Sequence, residues 1–231
     1  MKRFYKETGV AESEGGWEIL LDGKRVRSPA KAALVLPTQG LAEAVAAEWR
    51  AQESQVRPAT MPLMRLASIA VDIVARRRAE VVAEVAKYAE TDLVCYRAEH
   101  PPELVQRQQA SWQPLVDWVM LRFDAPLHVT TGVIPTRQAE ASLKSLAAAI
   151  AAHGDFALTG LHAVTTAAGS VVIGLALLDG QLDATDAFEL AQLDESWEIE
   201  QWGEDAEATD RRGRLRADIA AAARFLALLG R

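Results

Sequence analysis

Seven carboxylates fall within one short run, ESWEIEQWGEDAEATD (195–210), with no Lys, Arg or His among them. Trp197 and Trp202 sit inside the same run. That many oxygens could ligate a hard cation, and paired carboxylates could perform acid–base hydrolysis. Calcium fails on spacing. Counted from Asp205 as the first ligand of an EF-hand loop, the position of the bidentate Glu is Arg216, and no glycine occupies the sharp turn. Zinc is served no better. His100, His128, His153 and His162 show no HxxH or HExxH spacing, and Cys95 is the only cysteine. A lone cysteine also excludes an internal disulfide; between Val94 and Tyr96 it reads as a small buried apolar residue. The phosphate loops GxxxxGK[ST] and GxGxxG are absent, as is the GxSxG nucleophile elbow. TTAAGSVVIG has two glycines ahead of an apolar helix but no lysine. No catalytic group, metal or cofactor is expected. Two alternatives stay open: an enzyme using Asp92, Glu195 and Asp205, which needs a deep pocket and shifted pKa values, and a generic acidic scaffold for basic partners.

On an ideal helix the acidic run has two opposed apolar stripes. Leu190, Leu193 and Trp197 gather on one face; Ile199, Trp202 and Ala206 gather opposite, with Glu195 in the second stripe. One stripe docks a helix on its own core. A second one means a sandwiched helix, a bend near Gly203, or a surface offered to a partner, with an aromatic anchor and an acidic rim.

The elements that must position this run divide the chain. Trp17, Ile19 and Leu21 alternate, and Asp22-Gly23 is a strong hairpin signal, since both residues tolerate positive φ. AALVLP (32–37) reads as a third strand, and Thr38 as the N-cap of a helix burying Leu41, Val45 and Trp49. Pro58 and Pro62 then interrupt regular structure. Beyond them the pattern is helical: stripes at Leu66, Ile69, Ile73 and Val74, then at Val81, Val85 and Tyr88, then at Leu104, Gln108, Trp112, Leu115, Val119 and Phe123. The arginines at 76–78 read as a solvated helix face, and 128–138 as a connecting loop. Helices are expected over 139–152, 156–167, 171–179, 184–207 and 211–229, the 171–179 helix apolar all round and therefore central. The fold class is α+β: a small N-terminal antiparallel sheet domain with a packed helix over 1–62, then a larger all-α domain over 63–231.

Composition narrows the partners. Half of the 231 residues are hydrophobic and a quarter are charged, as in globular chains, and the net charge of −7 disfavours nucleic acid or an anionic membrane as the main partner. SVVIGLALL (170–178) is too short to span a bilayer. MKRFYKETGV has no apolar h-region and lacks the Arg/Ser-rich look of a transit peptide, so a cytoplasmic protein is expected. A monomer is the expected state.

Four segments, GWEILLDGKRVRSPAKAALVLPTQGLAEAVAAEWRAQ, TMPLMRLASIAVD, ETDLVCYRAEHP and LDESWEIEQWGEDAEA, resemble in order the assembly chaperones that bind the α subunit of the F1 part of ATP synthase in mitochondria and related bacteria. The resemblance implies an α+β domain followed by a helical one. It implies a non-enzymatic role: holding an unassembled α subunit and covering the surface that later pairs with β. In mitochondrial relatives, acidic positions in the segment matching LDESWEIEQWG matter for chaperone action; here these are Glu195 and Glu200. Trp49 in AEWRAQ belongs to the same pattern and is expected to be structural. After Gly203 the chain departs from the mitochondrial pattern, with Ala206-Glu207 ahead of Ala208-Thr209-Asp210. Resemblance and helical projection together give Glu195, Glu200, Trp202, Glu204 and Asp205 as the expected client contacts.

Overall fold

The structure is a computed structural model and describes residues 1–132, 134–203 and 205–230. It groups into two compact units: Met1–Arg78 with Asp155–Gly160 and Arg224–Arg231, and Ala79–Gly154 with Leu161–Ala223.

The first unit is built on a three-stranded antiparallel sheet, β1 (Thr8–Ser13), β2 (Gly16–Leu21) and β3 (Lys24–Arg25). Register runs from Thr8 opposite Leu21 to Ser13 opposite Gly16. Leu21 faces Lys24 across the expected two-residue turn, whose Asp22 and Gly23 both have positive φ, 48° and 76°. The expected third strand over 32–37 does not form a ladder. Only isolated bridges join it, Arg27 to Ala33 and Trp17 to Leu36. Lys31, at φ 64°, turns the chain before it, so it only touches the sheet. Helix α1 (Gln39–Arg50) packs on β1 and β2 and buries Leu41, Val45 and Trp49; Ile19, Leu21, Leu34 and Leu36 are buried in the same unit. Thr38 caps it as expected, accepting from Leu41 N–H at 3.2 Å while its hydroxyl donates to Leu228 O at 2.6 Å.

The sequence places a boundary after residue 62, yet residues 63–78 group with the sheet, for two reasons. Glu48 of α1 accepts from the Leu63 and Met64 N–H groups at 2.8 Å each, capping α2 (Pro62–Ile69). The π-helical turn Ala70–Val74 then brings Asp72 to accept from Ser28 Oγ at 2.6 Å and Ala30 N–H at 3.1 Å. Both carboxylates sit outside the apolar periodicity that marked the boundary.

The remaining elements are α3 (Arg78–Lys87), β4 (Tyr96–Arg97), α4 (Pro102–Phe123), β5 (Thr130–Thr131), α5 (Glu140–Ala151), α6 (Asp155–Ala168), α7 (Val171–Leu178), α8 (Ala184–Ala191), α9 (Leu193–Trp202) and α10 (Ala206–Ala227). In the second unit α7 is the central element, with Val171, Val172, Ile173, Leu175, Ala176 and Leu177 all buried, as its all-round apolar sequence predicts. Its N-terminus carries a buried polar cap: Ser170 Oγ accepts from Ile173 N–H at 3.0 Å and donates to Asp92 at 2.5 Å, and Asp92 also accepts from Val172 N–H at 3.1 Å. β4 and β5 form a two-residue parallel pair, too short to leave a periodic signal. The fold is therefore the α+β class expected, a small antiparallel sheet followed by a mostly helical remainder.

Candidate functional site

The acidic run is not one helix. It divides among α9, a short break and the first turn of α10. The expected 184–207 helix breaks at Gln192, which leaves helical geometry at φ −115° and ψ 23°, and again at Gly203, at φ 88°. Asp205 restarts the chain, its side chain accepting from Ala208 N–H at 2.8 Å, so α10 begins at Ala206 rather than near 211. Carboxylates at these starts, Asp194 and Glu195 on α9 and Glu207 on α10, lie where the helix dipole favours negative charge.

Two neighbours hold α9. From α4, Gln108 Nε2 donates to Asp194 at 2.8 Å, and Trp112 Nε1 donates to Leu190 O at 3.0 Å just ahead of α9. Gln108 is buried and its oxygen accepts from Ala98 N–H at 2.7 Å, so both ends of its amide are used. Burial raises the Asp194 carboxyl above its ordinary range, against the lowering effects of the Gln108 bond and the Arg97 charge. Arg107 grips Glu200 through two nitrogens at 2.8 and 2.9 Å, and that pairing holds Glu200 below the usual carboxylate range. From α10, Arg211 pairs with Glu195, and Arg212 donates to Ser196 Oγ at 3.0 Å and to Gln192 Oε1 at 3.2 Å. The Arg216 guanidinium lies 4.3 Å from the Phe188 ring centre of α8. These helices enclose a cleft of about 530 Å³ lined by Arg107, Ser111, Phe188, Leu193, Glu200 and Arg216.

The expected contact residues do not form one patch. At about 100° per residue, Trp202 projects about 20° from Glu195 but about 160° from Glu200. Glu200 turns to Arg107 and lines the cleft. Glu195 and Trp202 share the other stripe, and beside it Asp205 and Glu207 act with Glu195 to raise the Arg211 pKa, the Glu195 hydrogen bond having the largest effect. Trp202 is 78 % exposed, while Leu193 is buried and Trp197 half-buried. Glu204 lies outside the described residues. The sequence reading missed Arg107, Gln108 and Arg211. RRGRLR (211–216), directly after the acidic run, is a visible signal for Arg211; nothing in the sequence links Glu200 to Arg107, 93 residues earlier.

The three carboxylates of the enzyme alternative serve separate structural tasks. Asp92 caps α7, Glu195 pairs with Arg211 and Asp205 caps α10. Among the described residues no group of three His, Cys, Asp or Glu side chains is placed to hold a metal ion, and no helix is long and apolar enough to cross a membrane.

The sequence model of the ATP12 chaperone protein family matches residues 2–120. The chain belongs to the ATP12 chaperone family. This is a family of ATP synthase assembly chaperones, and its protein-binding role suits a chain whose candidate site is a surface helix. Mitochondrial protein atp12 of Schizosaccharomyces pombe is 24 % identical over 223 residues, covering 90 % of this chain and 77 % of that protein. The crystal structure of Atp12 from Paracoccus denitrificans is 40 % identical, with a TM-score of 0.95 over 99 % of this chain and 98 % of that one. A mutant of the same P. denitrificans protein gives the same identity and TM-score, covering 99 % and 97 %. The family match ends within α4, whereas the likeness to solved ATP12 structures takes in nearly the whole chain.

Proposed function

We propose that this ATP12 family member binds the unassembled α subunit of the F1 sector and covers the surface that later pairs with β, without catalysing a reaction. It acts as a monomer in the bacterial cytoplasm. An orphan subunit exposes large apolar interface area and aggregates unless that area is covered. The observation that carries the reading is Trp202, 78 % exposed at the end of an acidic helix held through its Asp194 and Ser196 side chains by α4 and α10. A large indole on a rigid element is the residue type that anchors protein interfaces, and a charged rim steers the partner. Glu195, Trp202 and Asp205 make the client face. Glu200 contributes indirectly, by fixing α9 to Arg107, and Glu204 falls in the same stretch of chain.

The test is co-expression with the cognate F1 α subunit, followed by pull-down and crosslink mapping. Wild-type protein keeps α soluble and crosslinks to it through α9 and the start of α10. Trp202→Ala keeps its melting temperature and loses most of the captured α. Failure of the wild-type protein to bind α or keep it soluble ends the reading.

A further inference from the structure

The sheet of the first unit has two unlike edges. Beyond β2, Trp17 N–H donates to Leu36 O and Leu36 N–H to Trp17 O, each at 2.8 Å, and Val26 N–H donates to Ile19 O at 2.8 Å. β1 is the other edge, with β2 as its one strand neighbour. Register decides which way the β1 main chain points. Asp22 N–H donates to Glu7 O at 3.0 Å, so Glu7 and Asp22 are a bonded pair. Bonded pairs alternate along an antiparallel ladder, so Gly9, Ala11 and Ser13 turn their main-chain groups toward β2. Thr8, Val10 and Glu12 turn theirs away, and these N–H and C=O groups meet no hydrogen-bond partner among the described residues. No residue of β1 is buried.

An unpaired strand edge is a template for another extended chain. This one is open for about 14 Å, from Thr8 to Glu12. Charge selects among the chains it takes. Residues 6–14 hold three exposed carboxylates, Glu7, Glu12 and Glu14, and one cation, Lys6. Those carboxylates meet no partner among the described residues. A second copy of the edge would set the same excess of negative charge against itself. A strand carrying Lys or Arg sets opposite charge there, and opposite charges across a strand pair stabilise it where like charges do not.

We infer that an extended, basic segment of the client adds a strand to the β1 edge. Its main chain bonds Thr8, Val10 and Glu12, and its Lys or Arg side chains share the face of the Glu12 carboxylate. The inference rests on the chaperone reading only in taking the occupant to be an unassembled protein chain.

The probe is the labelled heptapeptide Thr-Lys-Val-Lys-Val-Lys-Thr, with a counterpart that has Glu for each Lys. Both are titrated against the full chain by anisotropy at low salt, and α-subunit capture is measured on the same preparations. The lysine peptide binds at least about tenfold more tightly than the glutamate one. Its lysine N–H groups face β1, so N-methylation of the central lysine weakens binding by about tenfold, and N-methylation of one valine leaves it unchanged. In the free chain the Val10 and Glu12 amides exchange with solvent faster than those of Ala11 and Ser13, and the peptide slows them. Val10→Pro removes an outward donor and spares the β2 ladder, so it weakens binding by about tenfold in a folded chain. Glu12→Lys, at an exposed position, does the same at an unchanged melting temperature. Trp202→Ala leaves peptide binding unchanged. No peptide binding, indifference to charge or to lysine N-methylation, or a folded Glu12→Lys variant that binds as wild type overturns the inference. Self-association of the client-free chain that Val10→Pro abolishes assigns the edge to a second copy and also overturns it. Capture of α without peptide binding removes the strand edge and leaves the α-subunit reading; peptide binding without α capture does the reverse.

Discussion

Asp92 is the most constrained carboxylate at the residue scale. It is fully buried, and burial raises its pKa to about 6 against the hydrogen bonds from Ser170, Val172 and Val94 that favour the ionised form. A carboxyl with a raised folded-state pKa contributes most stability below its unfolded pKa, and loses that contribution as pH rises through the folded value. The stability difference between wild type and Asp92→Asn should therefore shift against the wild type from about pH 4 to about pH 7, by up to roughly 3 kcal/mol. Urea unfolding of both proteins across that window measures it, and the comparison cancels carboxylates such as Asp22, whose pKa is lowered. A constant difference contradicts the assignment. The sequence could not reveal this role, because the Ser170 partner lies 78 residues away. Thr38 and Asp22-Gly23 were legible because caps and two-residue turns act within a few residues of chain.

At the element scale, the position of α9 depends on side chains its own periodicity does not show. The projection placed Leu193 inside and Trp202 outside, as found, because a stripe is a property of one helix. It could not show that Glu200 turns to α4 and Glu195 to α10, since both partners lie on other elements. The third strand failed for a similar reason: AALVLP has the composition of a strand, but Lys31 at φ 64° sets a path that meets the sheet only at bridges. Gln108 is the critical tie of α9. Gln108→Leu strips the donor from Asp194 and the acceptor from Ala98 N–H, both held by a buried side chain. The expected cost is about 1–3 kcal/mol. It grows as pH rises through the carboxylate range, because Asp194, already raised by burial, loses the bond that favours its ionised form. Denaturant titration reads the cost, and hydrogen exchange over Leu193–Trp202 locates it, with α9 amides losing protection ahead of α7. Unchanged exchange in α9 would show that its position does not depend on this tie.

At the scale of the whole molecule, the proposed client face divides the work of association between charge and an apolar anchor. The chain carries −7 overall, and three carboxylates of the Trp202 neighbourhood, Glu195, Asp205 and Glu207, face one arginine, Arg211. On the proposed reading such a field steers a basic patch of the client during diffusion, and its reach contracts from about 30 Å at 0.01 M salt to about 10 Å at 0.1 M. The association rate with the F1 α subunit should fall about tenfold between those conditions, while dissociation, governed by desolvated anchors, changes little. The two variants then separate the contributions. Glu195→Lys sets a cation beside Arg211 and flattens the salt dependence of association; Trp202→Ala keeps that dependence and speeds dissociation by about tenfold. Stopped-flow mixing with labelled α subunit resolves both rates. An association rate indifferent to salt would move the client contact off the acidic face altogether, and an unchanged dissociation rate in Trp202→Ala would remove the indole as its anchor.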